Sequence, residues 1–434
     1  MREKKQSTEA LYDTNSDMRI KALGELVHER PKTIESGGIN LHIHTNESFS
    51  VFRSPTEAVW HAYNADIEYF GINDHYTIDG HPEFSKACRI AGIKAVFGIE
   101  AIAQEQEALK QNRRYNDPNN PGRVYVIGKG VTRDLKSGGK NRALLERMKR
   151  AIRKRNRRIV ERLNSYALRK GYNVNLSYND VQLLTPKGNS TERHVVQAFC
   201  EKVDRLSEGE EKKVEIYNDL LDKRIDEDIL RDPAKLLVTV RARLVKTGRP
   251  CYVEEDQEAF TSVENLVGIM LEYGAVPSYP FMGGPITEEE EDLDRLFEKV
   301  LSYRMYAFDL IEFRTPLERA REIVGFAKER GFPVFIGTEH NTKRLDPMVG
   351  EIAIDPSLYG YFKRSSQFAL GHQILSHLCN HGYVADDGKP RIDNLVQGFQ
   401  LFSEVGAMEL TGERLEELEK MDRKERLKAL GIQR

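Results

Sequence analysis

Little in this sequence of 434 residues points to an oxidising compartment or a bilayer. It has only four cysteines (Cys88, Cys200, Cys251 and Cys379), far apart and without C-x-x-C spacing. That argues for reduced thiols in a cytoplasmic setting. No apolar run approaches the length of a membrane-spanning helix, so no membrane partner is expected. The start, Met1-Arg2-Glu3-Lys4-Lys5-Gln6, lacks the apolar stretch of a secretory signal. There is no G-x-x-x-x-G-K-[ST], hence no P-loop for ATP, and no internal repeat of fixed period. Formal net charge is only −2, which excludes a chain that is basic or acidic throughout.

The charge is unevenly spread. Residues 129–170 hold 16 Lys/Arg against 3 Asp/Glu, an excess of 13 positive charges that leaves about −15 for the rest. Within this stretch Leu145, Met148, Ile152, Ile159, Leu163 and Tyr166 repeat at helical spacing, so residues 140–170 read as one long amphipathic helix. Runs such as Arg153-Lys154-Arg155-Asn156-Arg157-Arg158 make it a candidate contact for a nucleic-acid backbone. Ser137-Gly138-Gly139-Lys140 follows no clear strand and reads as a flexible lead-in to that helix.

Residues 1–37 are polar, with a helix around 17–29 but no sign of a core. From residue 39 strands and helices alternate: strands over 39–43, 68–73, 94–99 and 123–128, helices over 55–66 and 81–91. Ser54-Pro55 opens the first helix and Gly92 closes the second. This rhythm predicts parallel strands in one sheet or barrel. It breaks near residue 129, where a helical insertion is expected over about 130–257. It returns with strands 274–279, 307–313 and 332–338. The remainder, from 349 to 434, reads as charged helices packed on the outside.

Chemistry-bearing residues cluster at strand ends. His42 and His44, one residue apart in Gly38-Ile39-Asn40-Leu41-His42-Ile43-His44-Thr45, project from one face of a strand, as half of a metal site. Asp74-His75 close the second strand, Glu100 the third and Glu339-His340 the last, and Glu312 lies in the strand 307–313. In barrels of parallel strands, active groups gather at the carboxyl ends, so a shared divalent-metal site and a metallohydrolase are expected. By contrast, His377-Leu378-Cys379-Asn380-His381 lacks the glutamate a zincin helix needs after its first histidine.

These stretches, with Gly71-Ile72-Asn73-Asp74-His75-Tyr76-Thr77-Ile78-Asp79-Gly80, Phe97-Gly98-Ile99-Glu100 and Ile336-Gly337-Thr338-Glu339-His340, resemble the polymerase and histidinol phosphatase (PHP) family of metal-dependent phosphoesterases. The resemblance covers about 39–128 and 258–345. It implies a distorted (β/α)7 barrel, here with a helical insertion and C-terminal helices, and divalent cations (Mn, Zn or Fe) at its mouth. Carried over residue by residue, it offers His42, His44, His75 and Glu100 as ligands. Glu47 is the nearest substitute for the family's aspartate after His-x-His. Either Glu339 and Asn341 keep the register of the terminal Asp-x-His, or His340 takes its place. Thr191-Glu192-Arg193-His194-Val195 looks similar to the Arg-x-His helix start of insertion-containing members. That suggests His194 as proton donor or phosphate holder, with Arg193, Lys187 of the loop 186–191, and Arg314 as phosphate contacts. Two departures, Tyr125 and Tyr279 where the family has histidines, imply one or two cations rather than three. The expected substrate is a small phosphate ester, nucleotide or oligonucleotide. Two alternatives stand beside it: a degenerate module that binds a phosphorylated ligand or nucleic acid without turnover, and a metal-dependent hydrolase of a non-phosphate bond.

Overall fold

Seven strands pair in chain order to make one sheet: β1 (Gly38–Ile43), β2 (Ile67–His75), β3 (Lys94–Gln104), β4 (Arg123–Lys129), β5 (Val276–Phe281), β6 (Ala307–Ile311) and β7 (Val334–Gly337). The computed structural model describes residues 9–32, 37–185 and 187–432. Part of the polar N-terminal stretch (1–8 and 33–36), Pro186 of the loop 186–191 and the last two residues lie outside the described residues. The sheet nearly closes into a barrel through a parallel bridge between Ile43 and Glu339. There the Glu339 N–H donates to the His42 carbonyl (2.7 Å) and the His44 N–H to the Glu339 carbonyl (2.9 Å). Glycine permits this close approach: a Cβ on Gly337 would lie 2.3 Å from the His42 nitrogen.

One strand departs from the expected parallel order. β4 is antiparallel to both β3 and β5. The link from β3 carries only the five-residue helix Gln106–Lys110, too little for the crossover that a parallel neighbour requires. The consequence is topological. β4 begins at the mouth, where the other strands end, and finishes at the opposite rim. The insertion therefore leaves from the rear of the barrel. The 30-residue helix Lys140–Arg169, about 45 Å long, carries it back along the wall. Its apolar face is divided: Leu145 and Met148 join the barrel core, whereas Ile159, Leu163 and Tyr166 build a separate core with the insertion helices.

Two peripheral segments are more deeply involved than their composition suggests. The N-terminal helix Ser16–Glu29 buries Ala22, Leu23 and Leu26 in a third core with residues of the helices Pro55–Asn64 and His81–Ala91. Arg19 clasps both oxygens of Glu83 (2.9 and 2.6 Å). The C-terminal helix Tyr359–Cys379, expected outside, instead seals the rear rim. Ser365 accepts from the Val334 N–H, Gln373 pairs with Ala95 and Phe97, and His372 Nε2 lies within 3.0 Å of the Gly130 and Gly274 carbonyls. Such a plug satisfies the polar backbone that strand starts would otherwise bury unpaired. The other end of the barrel is left for chemistry.

Candidate metal centre

His42 and His44 leave β1 on the same face because strand side chains alternate, and the centre of β3 brings Glu100 opposite them. His42 Nε2 and His44 Nε2 are 3.4 Å apart, and they lie 3.2 and 3.3 Å from Glu100 Oε2. His75, at the end of β2, places Nδ1 3.8 Å from the same oxygen. The first three side chains are wholly buried, and their ligand atoms all fall within 4.8 Å of one another.

The donor set fits a divalent cation. Two imidazole nitrogens and a carboxylate oxygen converging within 4.8 Å are the donors such an ion takes. Glu100 Oε1 and His75 Nδ1 are buried with no hydrogen-bond partner, an arrangement that is costly unless something else occupies the centre. Burial lowers the pKa values of His44 and His75 to about 4, which keeps both imidazoles neutral near pH 7. Glu100 is the reverse case: burial opposes its charge, but His75, His42 and His44 outweigh it and hold the carboxyl well below its usual range. For His42 burial is overcome by Asp309 and Glu100, and the pKa rises to about 9. The negative field that would retain a proton there also favours a metal cation.

A supporting layer lies beneath. His42 Nδ1 meets Asp309 Oδ1 at 3.2 Å, and Asp309 Oδ2 meets Lys129 Nζ at 2.7 Å, with both partners fully buried. Lys129 also donates to the Leu41 carbonyl. This carboxylate–imidazole pair can fix the ring and tautomer of a metal-ligating histidine. His44 Nδ1 is 3.3 Å from Ser48 Oγ, which donates to Asp74 (2.6 Å). Asp74 also accepts from the Thr45 N–H and Oγ1. It therefore holds the loop after β1 rather than facing the cluster.

Other candidates are engaged elsewhere. Glu47 pairs with Lys187 (3.0 Å), which also donates to the Asp79 carbonyl (2.7 Å). The pair staples the insertion to the barrel instead of presenting a ligand and a phosphate contact. Beside it, Asn189 donates to the Glu47 and His75 carbonyls. His340 has spent both ring nitrogens, on Thr338 Oγ1 (2.6 Å) and the Asp346 carbonyl (3.0 Å). Glu339 is ion-paired with Arg314, but its Oε1 is buried without a partner. Both Glu339 and His340 have positive φ, 67° and 46°, a conformation that costs energy for residues other than glycine. His194 caps its own helix, with Nδ1 3.0 Å from the Thr191 N–H and Oγ1. Burial holds its pKa down to about 3, so at neutral pH it carries no acidic proton to donate. Arg193 donates to Asn341. Tyr279 donates to Glu290 (3.1 Å).

Three functional candidates escaped the sequence reading. In the expected strand 307–313 Asp309, not Glu312, faces the cluster; Glu312 accepts from the Ile352 and Ala353 N–H groups instead. A lone acid in the buried run Ala307-Phe308-Asp309-Leu310-Ile311 was the available signal. Lys129, a fully buried cation closing β4, offered the same kind of clue. Arg241 had none; it opens the short π-helical turn Arg241–Val245 and shares Glu192 with Arg155 and Lys246. Glu192 stays ionised, its pKa near 2, because these three cations outweigh its burial. Arg193 feels Arg241, Glu339 and Arg314, so the insertion side of the mouth is rich in positive charge. A cavity of about 480 Å³ opens beside this region, between residues 229–239 of the insertion and the ends of β6 and β7, with Phe313, Val238, Arg314 and Glu339 in its wall.

Among known proteins, a family model described as the PHP domain matches residues 40–238, which span β1–β4 and most of the insertion but stop before β5. No curated protein matches the chain. Similar folds occur among solved structures. One is a candidate metal-dependent phosphoesterase from Bifidobacterium adolescentis, with TM-score 0.50 and 15% identity, covering 75% of this chain and 96% of that one. Another is an amidohydrolase from Chromobacterium violaceum with bound sulfate and no metal, with TM-score 0.46 and 14% identity, covering 76% of this chain and 97% of that one. Residues 40–238, just under half of the chain, are thus similar to the PHP domain, and a seven-stranded barrel closes around the cluster they supply.

Proposed function

We propose that this chain is a metal-dependent phosphoesterase acting on a small phosphate ester, nucleotide or oligonucleotide. One observation carries the reading: His42, His44 and Glu100 converge in a buried site that leaves Glu100 Oε1 and His75 Nδ1 without partners. His42, His44 and Glu100 would hold one divalent cation. His75, Glu339 and the second Glu100 oxygen would flank another. Mn, Zn or Fe suit this mixture of imidazole and carboxylate. When bound, such a cation draws charge from a phosphoryl oxygen and acidifies water.

The chain's own contribution is binding and orientation. Asp309, held by Lys129, fixes the His42 ring. Arg193, Arg241 and Arg314 place positive charge at the same rim, and guanidinium forks match phosphate oxygens. The cavity beside them, part apolar at Phe313 and Val238, would seat the alcohol portion of the ester.

The test is metal-dependent turnover of p-nitrophenyl phosphate and of a nucleotide p-nitrophenyl ester, with a lactone as the non-phosphate control. Phosphate-ester hydrolysis that chelation abolishes and His42→Ala removes supports the proposal. Cleavage of the lactone alone, or binding of phosphorylated ligands without turnover, overturns it.

A further inference from the structure

The helix Lys140–Arg169 has one buried face and one charged face. Along the charged face Arg147, Arg150, Lys154, Arg158 and Arg162 follow one another at steps of three or four residues, and all five are exposed together with their neighbour Arg157. At 1.5 Å per residue this ridge is about 22 Å long, close to six nucleotides at about 3.4 Å each. Arg147, Arg150 and Arg158 have no ion pair among the described residues; Lys154 reaches Asp256 only at 3.8 Å. Glu161 is the single exposed acid on the helix. Like charges at i,i+3 and i,i+4 repel, so a solvated face ordinarily alternates sign. This one does not, in a chain whose net charge is −2.

We infer that the ridge is a docking surface for the phosphate backbone of a nucleic-acid strand. Positive charge in a line, without an exposed aromatic on the helix, favours sequence-independent backbone contact over base stacking. The only large apolar side chain exposed on the helix is Leu168, beyond the ridge, which disfavours insertion into a lipid surface. The ridge also leads toward the mouth. On its flank Lys149 and Arg153 line a small cavity with Tyr76 and Asn189, and Asn189 is bonded to His75. The inference does not depend on what the barrel hydrolyses.

Fluorescence anisotropy in EDTA, with labelled random single strands and duplexes of about 20 nucleotides, tests it over salt from about 50 to 300 mM. The wild type is expected to bind with log K falling roughly four units per decade of salt. The variant Arg147→Gln/Arg150→Gln/Lys154→Gln/Arg158→Gln should bind at least about tenfold more weakly and lose about three units of that slope. Lysine at the three arginine positions should restore both, because charge is the requirement. Equal melting temperatures exclude misfolding as the cause. No binding at the lowest salt, an unchanged slope in the glutamine variant, or binding to phosphatidylserine vesicles without binding to oligonucleotides would overturn the inference.

Discussion

The two halves of the barrel mouth contain similar residue types and use them differently. On the β1–β3 side His42, His44, His75 and Glu100 converge, and two of their buried polar atoms have no partner. On the β4–β7 side Tyr279 is bonded to Glu290 and His340 to Thr338 and Asp346, while Glu339 pairs with Arg314 and keeps one oxygen open. The difference teaches that ligand character is not a property of residue type or of position at a strand end. It belongs to atoms whose neighbours leave them unsatisfied, because burying a polar atom without a partner is expensive. A cation would complete the first half with help from Glu339 Oε1, whereas hydrogen bonds already engage Tyr279 and His340 in the second.

The sharpest way to break this comparison is to remove one member from each half. Glu100→Ala should reduce both bound metal, measured by elemental analysis, and turnover to background. Tyr279→Phe should leave metal content unchanged and cost only about 1 kcal/mol of stability, the worth of one hydrogen bond. Equal metal loss in the two variants would erase the distinction between the halves. With Tyr279 and His340 already engaged, the wild type is expected to hold at most two cations per chain, and three would mean that one of these two also coordinates.

A smaller effect tests the layer beneath. Asp309→Asn leaves Lys129 buried without its counter-charge, at a cost of about 3–5 kcal/mol in denaturant unfolding. Metal affinity should fall about 10–100-fold, as for other partners of ligating histidines. Replacing both residues, Asp309→Leu with Lys129→Met, should recover most of the stability but none of the affinity. Recovery of both would show that the pair serves packing alone.

The smallest effect concerns pH and belongs to the β4–β7 half. Burial raises the Glu290 pKa from 4.5 to about 8, against the opposing pull of Tyr279 and Arg319. The folded state therefore holds this proton more tightly than the unfolded chain does. Its contribution is most favourable below pH 4.5, declines as pH rises toward 8 and is level beyond. Glu290→Gln should flatten that slope and raise the urea midpoint at pH 8.5 relative to wild type. An identical slope in both proteins would remove Glu290 as its source.

Much of the mouth was legible without coordinates, for a physical reason. Strand side chains alternate, so His42 and His44 had to share a face, and the βαβ rhythm put His75 and Glu100 on neighbouring strands, although β3 runs on to Gln104 past the expected end. The amphipathic spacing from Leu145 to Tyr166 likewise fixed a long helix in place. What could not be read was which partner each polar group would meet. Glu312 and Asp309 lie three residues apart in one segment, yet only Asp309 reaches His42. Glu47 looked like a ligand and found Lys187 from the insertion. His194 looked like an acid and became a helix cap.

By itself, then, the sequence determined most elements, their order and a set of candidate ligands that includes the four residues gathered around one point, since local periodicity and strand geometry act over a few neighbouring residues. Only the tertiary structure decided that β4 runs backwards, that the C-terminal helix plugs the rear rim, and that Lys129, Asp309 and Arg241 support the mouth. Those outcomes depend on segments far apart in the chain competing for the same buried space and the same hydrogen bonds, and no local pattern records that competition.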